Sequence, residues 1–330
     1  MAIICSGSIA FDFLMTFPGY FRDHILPDHL EKISLSFLVD SMIRQRGGTA
    51  PNIAYNLALL GERPVVFGTV GEDFDDYRAW LENHNVETFF VKVIQGDYTA
   101  SFFANTDRAN SQIASFYPGA MAKAGELSLH DMDRNIVDLL IISPNDPAAM
   151  YRNVQEAVEL KIPYLYDPSQ QIIRLDRDKL REGVRYADYL FVNEYEFELL
   201  QKHTAINANS IIDQIKVVVI TCGENGARVY SEGKEYKIPV VPPAAILDPT
   251  GVGDAFRGGF VRGMRLNFDW QTCGQMGSLS ATYCLEQRGT QNHSFTIQEY
   301  IQRYRQHFDD QGALDVLLVK NFSESINKGC

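Results

Sequence analysis

Asp248-Pro-Thr-Gly-Val-Gly-Asp-Ala-Phe-Arg-Gly-Gly-Phe260 divides this 330-residue chain into two unlike parts. The stretch reads as a glycine-rich turn running into a helix. Gly251 and Gly253 remove side chains where a backbone must come close to a ligand, and the helix start presents free N–H groups. With the helix dipole behind them, the amides of Gly251, Val252 and Gly253 form an anion site of the kind that accepts a phosphate. Asp254 at the same spot would repel a phosphate. It makes sense as the acceptor of a proton from a hydroxyl that attacks phosphorus. By itself, Gly-x-Gly-Asp also describes a helix N-cap after a turn.

Upstream of this stretch, short apolar runs alternate with longer amphipathic ones. Ala2–Cys5, Val65–Thr69, Leu139–Ser143, Tyr164–Tyr166, Tyr189–Val192 and Val217–Thr221 are continuous and rich in β-branched residues, as strands covered on both faces are. Ala50–Leu60, Asp75–Asn83, Pro147–Leu160 and Glu194–His203 carry helical patterns. Downstream, the chain reads as mostly helix, through Gly277–Leu285 and Ile297–Phe308. The expectation is an α/β fold: an open, doubly wound, mostly parallel sheet flanked by helices, within one domain spanning 1–330.

Two segments, about 11–46 and about 87–117, break that rhythm. Ile33–Phe37 and Thr99–Thr106 read as strands of period two, with Ser34, Ser36 and Ser101 alternating with bulky neighbours. Too little sequence surrounds them for a separate core, so they are expected to form a small β-sheet lid; hairpins at the edge of the main sheet are the alternative. The polar tail Lys320–Cys330 reads as loose.

Composition excludes several classes. A net charge of −12 argues against nucleic acid as a partner, which demands a basic face. Cys5, Cys222, Cys273, Cys284 and Cys330 form no C-x-x-C pair and read as reduced thiols. The start lacks the charged leader of a signal peptide, and Ile136–Ile142, broken by Asp138, is too short to span a bilayer. A cytoplasmic protein without a membrane partner is expected.

Asp248–Phe256 is similar to the C-terminal signature of the PfkB/ribokinase carbohydrate kinases, D-T-x-G-A-G-D. Arg46-Gly-Gly-Thr-Ala-Pro-Asn-Ile-Ala-Tyr-Asn-Leu-Ala-Leu-Leu-Gly61 resembles their N-terminal signature, a Gly-Gly pair followed by an Asn on a helix of small residues. The two lie about 200 residues apart in family order, and the resemblance extends over about residues 1–310. Pro249 and Val252 depart from the commonest Thr and Ala, but the proposed donors there are backbone amides. The resemblance implies further roles. Asn193-Glu-Tyr-Glu196 looks like the family's N-x-x-E motif, with Asn193 on the ATP side and Glu196 acting on Mg²⁺ through water. Thr221-Cys-Gly-Glu-Asn-Gly226, which also reads as a hairpin loop, implies nucleotide contacts from Thr221, Gly223 and Gly226. Asp248 and Thr250 are the candidates for a monovalent cation such as K⁺.

Ser8-Ile-Ala-Phe-Asp12 follows the first strand, at the end where open α/β sheets bind ligands. A carboxylate there can accept two hydrogen bonds from a vicinal diol. With Ser8, Gly47, Gly48 and Asn52, Asp12 is expected to hold sugar hydroxyls, although a turn residue fits it as well. Thr106-Asp-Arg-Ala-Asn-Ser-Gln-Ile-Ala-Ser-Phe-Tyr-Pro-Gly-Ala-Met121 and Asp167-Pro-Ser-Gln-Gln171 resemble adenosine kinases of the bacterial type more than ribokinases or phosphofructokinases. Phe102 and Phe116 are placed to sandwich a planar base, Gln170 and Gln171 to match a purine edge, and Arg174 to neutralise the γ-phosphate. These aromatics also suit mere packing of the lid.

The expectation is therefore ATP- and Mg²⁺-dependent phosphorylation of the 5′-hydroxyl of adenosine to AMP, with Asp254 as base. The alternatives are a broader nucleoside kinase using inosine, guanosine or cytidine, a ribose or other sugar kinase, and a non-catalytic nucleoside sensor. A dinucleotide-dependent oxidoreductase is disfavoured, because no G-x-G-x-x-G follows the first strand. A homodimer through the lid is expected, with Ile33–Phe37 involved and Ser36 reaching the partner's substrate.

Overall fold

Ile3 and Cys5 lie in one apolar core, and Ile4 between them lies in another. The same split recurs at Leu139/Ile141 against Leu140/Ile142, and at Val217/Val219 against Val218/Ile220. Side chains alternate across a strand, so an unbroken apolar run feeds two cores at once. The computed structural model describes residues 2–25 and 34–319.

The strands in chain order are β1 (Ala2–Ser6), β2 (Ala10–Thr16), β3 (Ser41–Gly47), β4 (Val65–Val70), β5 (Val91–Val93), β6 (Ala100–Thr106) and β7 (Gln112–Tyr117). They continue as β8 (Val137–Ile142), β9 (Tyr164–Tyr166), β10 (Tyr189–Asn193), β11 (Val217–Thr221), β12 (Ala227–Ser231) and β13 (Lys234–Ile238). The helices are α1 (Thr49–Leu59), α2 (Asp75–Asn83), α3 (Pro147–Glu159), α4 (Arg177–Arg185) and α5 (Glu194–Thr204). They are completed by α6 (Ala208–Gln214), α7 (Val252–Arg265), α8 (Trp270–Leu285) and α9 (Ile297–His307).

A nine-stranded sheet runs β13-β12-β11-β10-β9-β8-β1-β4-β5. Seven strands are parallel, and β12 and β13 close one edge as antiparallel hairpins. Chain order reverses at β1, which pairs β8 on one side and β4 on the other. The crevice beyond the carboxyl end of β1 is therefore the switch point at which such sheets bind ligands. One face is covered by residues of α1, α2, α7 and α8, the other by residues of α3, α4, α5 and α6. The expected α/β architecture is the observed one.

A second sheet, β3-β2-β6-β7, stands apart. Gly7, Ser8 and Ile9 are all that separate its strand β2 from β1. Two expectations change here. Ser34–Phe37 pairs with no strand; the antiparallel partner of β2 is β3, and Ile33 lies outside the described residues. Phe37 instead packs edge-on against Phe17 and Phe21, so its bulk serves an aromatic cluster and not a ladder. Residues 87–99 also leave the lid: β5 pairs with β4 at the edge of the large sheet, and the small sheet starts again only at Ala100. The Lys320–Cys330 tail lies outside the described residues.

Candidate active site

α1 and α7 pack against each other, and both begin with a glycine that has no side-chain cap. Gly258 permits the contact, since a Cβ there would stand 2.5 Å from Cβ of Asn56 on α1. Gly48, at φ +94°, precedes α1; a Cβ on it would meet the Ser8 carbonyl oxygen at 2.4 Å. Gly251, at φ +78°, precedes α7, with Thr290 2.8 Å from any Cβ placed there. Only glycine meets such demands cheaply. The result is two helix starts opening on one crevice: the first amides of α1 are taken up by Ser8, whose Oγ and carbonyl accept from Thr49 and Ala50, while α7 starts behind a bare glycine turn.

That crevice is a cleft of about 560 Å³. Its walls bring together Ser8, Asp12, Gly48, Asn52, Phe102, Phe116, Gln170, Gln171, Arg174, Asp248, Thr250, Gly251 and Asp254. Residues of the small sheet thus meet loops and helix starts at the carboxyl end of the large one. Gly47 abuts Asp12 directly: a Cβ there would lie 2.7 Å from Asp12 Oδ2. Phe102 and Phe116 are paired in register on β6 and β7, so their side chains stand side by side on one face of the small sheet. Ser8 is held by Thr49, whose backbone N–H donates to Ser8 Oγ at 3.2 Å.

Asp254, in the first turn of α7, accepts a hydrogen bond on Oδ2 from Asn52 Nδ2 at 2.9 Å. Burial pushes its carboxyl up to about 6, opposed by the charge of Arg257 and by the Asn52 hydrogen bond. Asp12 is likewise raised to about 6, by burial and by the neighbouring negative charge of Asp248. Asp248 itself is tied down at both oxygens, accepting from the N–H groups of Thr250 and Gly289, each at 2.9 Å.

The nucleotide candidates sit on the same side of the sheet. Asn193 and Thr221 are cross-strand neighbours at the carboxyl ends of β10 and β11. Gly223 and Gly226 follow in the turn between β11 and β12, so the segment is both a hairpin loop and a rim. Asn193 and Glu196 form a reciprocal cap at the start of α5, each side chain receiving the other's backbone N–H at 2.8 Å. Glu196 also accepts from Ser169 Oγ at 2.9 Å. Its carboxylate is thus committed, yet each oxygen keeps acceptor capacity for a water. Among the described residues no group of three or more His, Cys, Asp or Glu side chains is arranged to hold a metal ion. The donor set would fit a Mg²⁺ that keeps its waters, with Glu196 as the carboxylate that would accept hydrogen bonds from them. Ser36 is exposed and lines no part of the cleft.

Several site residues carry no local signal of their role. Arg257 is buried against Asp167, with Nη2 2.8 Å from Oδ1, and its Nη1 donates to the Gly253 carbonyl at 2.8 Å. A charge inside Phe-Arg-Gly-Gly-Phe and another closing Tyr-Leu-Tyr-Asp are the hint available, since buried charges require partners. Tyr77, Thr290 and Gln291 reach the site only through the fold. Thr290 Oγ1 donates to the Arg46 carbonyl at 2.8 Å, joining the loop after α8 to the Gly47-Gly48 turn.

The model of the pfkB family carbohydrate kinases matches residues 20–297. The chain belongs to that family. Among solved structures it is similar to the nucleoside kinase of Burkholderia thailandensis in complex with inosine, at 35% identity and a TM-score of 0.80, over 93% of this chain and 98% of that one. The same Burkholderia enzyme is also similar in its complex with ADP-inosine, at 36% identity and a TM-score of 0.78, covering 93% and 96%. The nucleoside kinase of Methanocaldococcus jannaschii is 25% identical over 307 residues, 92% of this chain and 97% of that protein. No helix among the described residues is long and apolar enough to cross a membrane.

Proposed function

We propose that this pfkB-family protein is an ATP-dependent nucleoside kinase acting on the 5′-hydroxyl. One observation carries the reading: the cleft joins a carboxylate at a helix start, Asp254, to residues suited to a sugar and a flat base. The Burkholderia relative bound to inosine, and its complex with ADP-inosine, support nucleoside and ATP as the substrate pair.

In this reading Asp12, with Ser8, Gly48 and Asn52, takes the ribose hydroxyls. Phe102 and Phe116 take the base. Asp254 receives the 5′-OH proton as that oxygen attacks the γ-phosphorus and the bond to the ADP oxygen breaks. The amides of Gly251, Val252 and Gly253 stabilise charge on the transferring oxygens, and Arg174, which lines the same cleft, adds its positive charge. Mg²⁺, when bound, neutralises the phosphate charge. The small sheet covers the acceptor and excludes water, which would otherwise compete as nucleophile.

The acceptor is read more broadly than adenosine. Gln171 is buried, and its Oε1 has no hydrogen-bond partner. An amide supplies both a donor and an acceptor, so it suits the amino edge of adenosine and the lactam edge of inosine alike. Adenosine, inosine, guanosine, cytidine and ribose assayed side by side with ATP test this. A higher kcat/KM for ribose than for every nucleoside rejects it, and no ADP formed with any acceptor favours the sensor reading.

Two further parts of the reading concern assembly and ions. Met42, Ile43, Ile113 and Tyr117 leave apolar surface exposed on the small sheet, which supports a homodimer through the lid with Ser36 beside the partner. A monomer in light scattering at micromolar concentration rejects the dimer. Asp248 and Thr250 are the proposed monovalent-cation ligands; equal rates in K⁺ and in choline reject them.

A further inference from the structure

We infer that Gln291 is a positioning residue that fixes which end of the Asn52 amide faces Asp254. The inference rests on the reading of Asp254 as the base. Gln291, Asn52 and Tyr77 are all buried, at 1%, 4% and 0% exposure. Gln291 Nε2 donates to Asn52 Oδ1 at 2.9 Å and to Tyr77 Oη at 2.5 Å. Asn52 Nδ2 then donates to Asp254 Oδ2 at 2.9 Å, and Tyr77 Oη donates to the Gly47 carbonyl at 2.9 Å.

The direction of this relay follows from its ends. An ionised carboxylate only accepts, so Asn52 must present its NH₂ to Asp254 and its carbonyl to Gln291. Burial holds the Tyr77 phenol far above its ordinary range, so it keeps its proton and spends it on Gly47. The Tyr77 oxygen and the Asn52 oxygen therefore both need a donor, and the one NH₂ of Gln291 serves both. Its own Oε1 is buried without a partner. Turning the amide over would set that oxygen against two others. Gln291 thus makes one orientation of Asn52 the only satisfied one, and Asn52 keeps a donor on the base.

Other groups act on Asp254 as well. Arg257 lies on its own helix, Asp167 follows β9, Tyr77 is on α2 and Cys284 is on α8. Asp12 and Asp248 stand together in the same cleft. None of these supplies the Asn52 carbonyl with a hydrogen.

Gln291→Met removes the donor while keeping the side chain's length, and Gln291→Leu removes it with a shorter one, neither adding a charge near Asp254. In each, Asn52 turns its carbonyl toward Asp254 or loses its hold there. The Asp254 carboxyl-carbon resonance, followed by NMR without any substrate, should titrate about one pH unit higher, equivalent to roughly a tenfold change in proton affinity. The acid limb of kcat/KM should move up with it, while the rate at alkaline pH recovers toward that of the unaltered enzyme. Folded variants whose Asp254 titrates where the unaltered protein does overturn the inference. If neither variant folds, the unaltered protein decides: the Asn52 and Gln291 side-chain amide signals should both follow the Asp254 titration, and a Gln291 signal indifferent to it overturns the inference. A chain that phosphorylates no acceptor defeats the kinase reading and leaves the NMR result to stand or fall separately.

Discussion

Arg257 clasps Asp167 through two nitrogens, with Nη2 2.8 Å from Oδ1 and Nε 2.6 Å from Oδ2, and both side chains are almost wholly buried. The same guanidinium holds the Gly253 carbonyl. Asp167 begins the segment carrying Gln170 and Gln171, and Gly253 lies in the anion turn. One side chain thus ties the segment proposed to read the base to the turn proposed to read the phosphate.

Arg257→Met is expected to destabilise the fold by about 3–5 kcal/mol, because it leaves a buried carboxylate without its partner. Arg257→Met combined with Asp167→Leu should recover much of that loss, since the unpaired charge goes too. Urea unfolding of the single and double variants checks this. A single-variant loss below about 1 kcal/mol would show the pair to be solvated after all.

Asp254→Asn keeps the shape of the side chain and removes the proton acceptor. Turnover of the preferred nucleoside should fall by about 10²–10⁴-fold, while nucleoside affinity measured by calorimetry changes little. Retention of a tenth or more of kcat would remove the base assignment.

The raised carboxyls of Asp254 and Asp12 give activity and stability opposite dependences on pH. Both titrate at about 6 in the fold, against 3.8 as the ordinary value. Between those values the folded chain binds more protons than the unfolded one, so these groups' contribution to stability increases as pH falls through 6 toward 3.8. If Asp254 is the base, as proposed, activity requires its ionised form and should fall over the same window. A kcat/KM profile with its acid midpoint near 4 would contradict the raised value.

Gln171→Leu deletes the buried cleft amide that is proposed to meet the base. kcat/KM for purine nucleosides should drop by roughly 10–100-fold, as loss of one or two buried hydrogen bonds does, with ribose turnover nearly unchanged. A parallel fall for ribose would mean that Gln171 supports the fold and not the base.

The large sheet was legible in sequence because its strands are buried on both faces and read as unbroken apolar runs. The glycine-rich turn running into a helix was legible too, and α7 is that helix. The lid was harder. Ser41–Gly47 mixes Arg44, Gln45 and Arg46 with Met42 and Ile43 on a strand exposed along most of its length, so no core imposes a pattern. Ser34–Phe37 alternates as a strand should, but its bulk is used by an aromatic cluster. Gln291 was not legible at all: Gly-Thr-Gln-Asn-His reads as a polar loop, and only the return of the chain past α1 buries it.

The contact of α1 with α7 through Gly258 has a consequence for regiochemistry. One rod carries the groups assigned to the sugar, the other those assigned to the phosphate, and their spacing is set by backbone against backbone. Such a pair works as a ruler. The alcohol that is modified is the one standing at the right length from its anchored ring, so a sugar with a shorter or longer arm would be held in place and left unmodified.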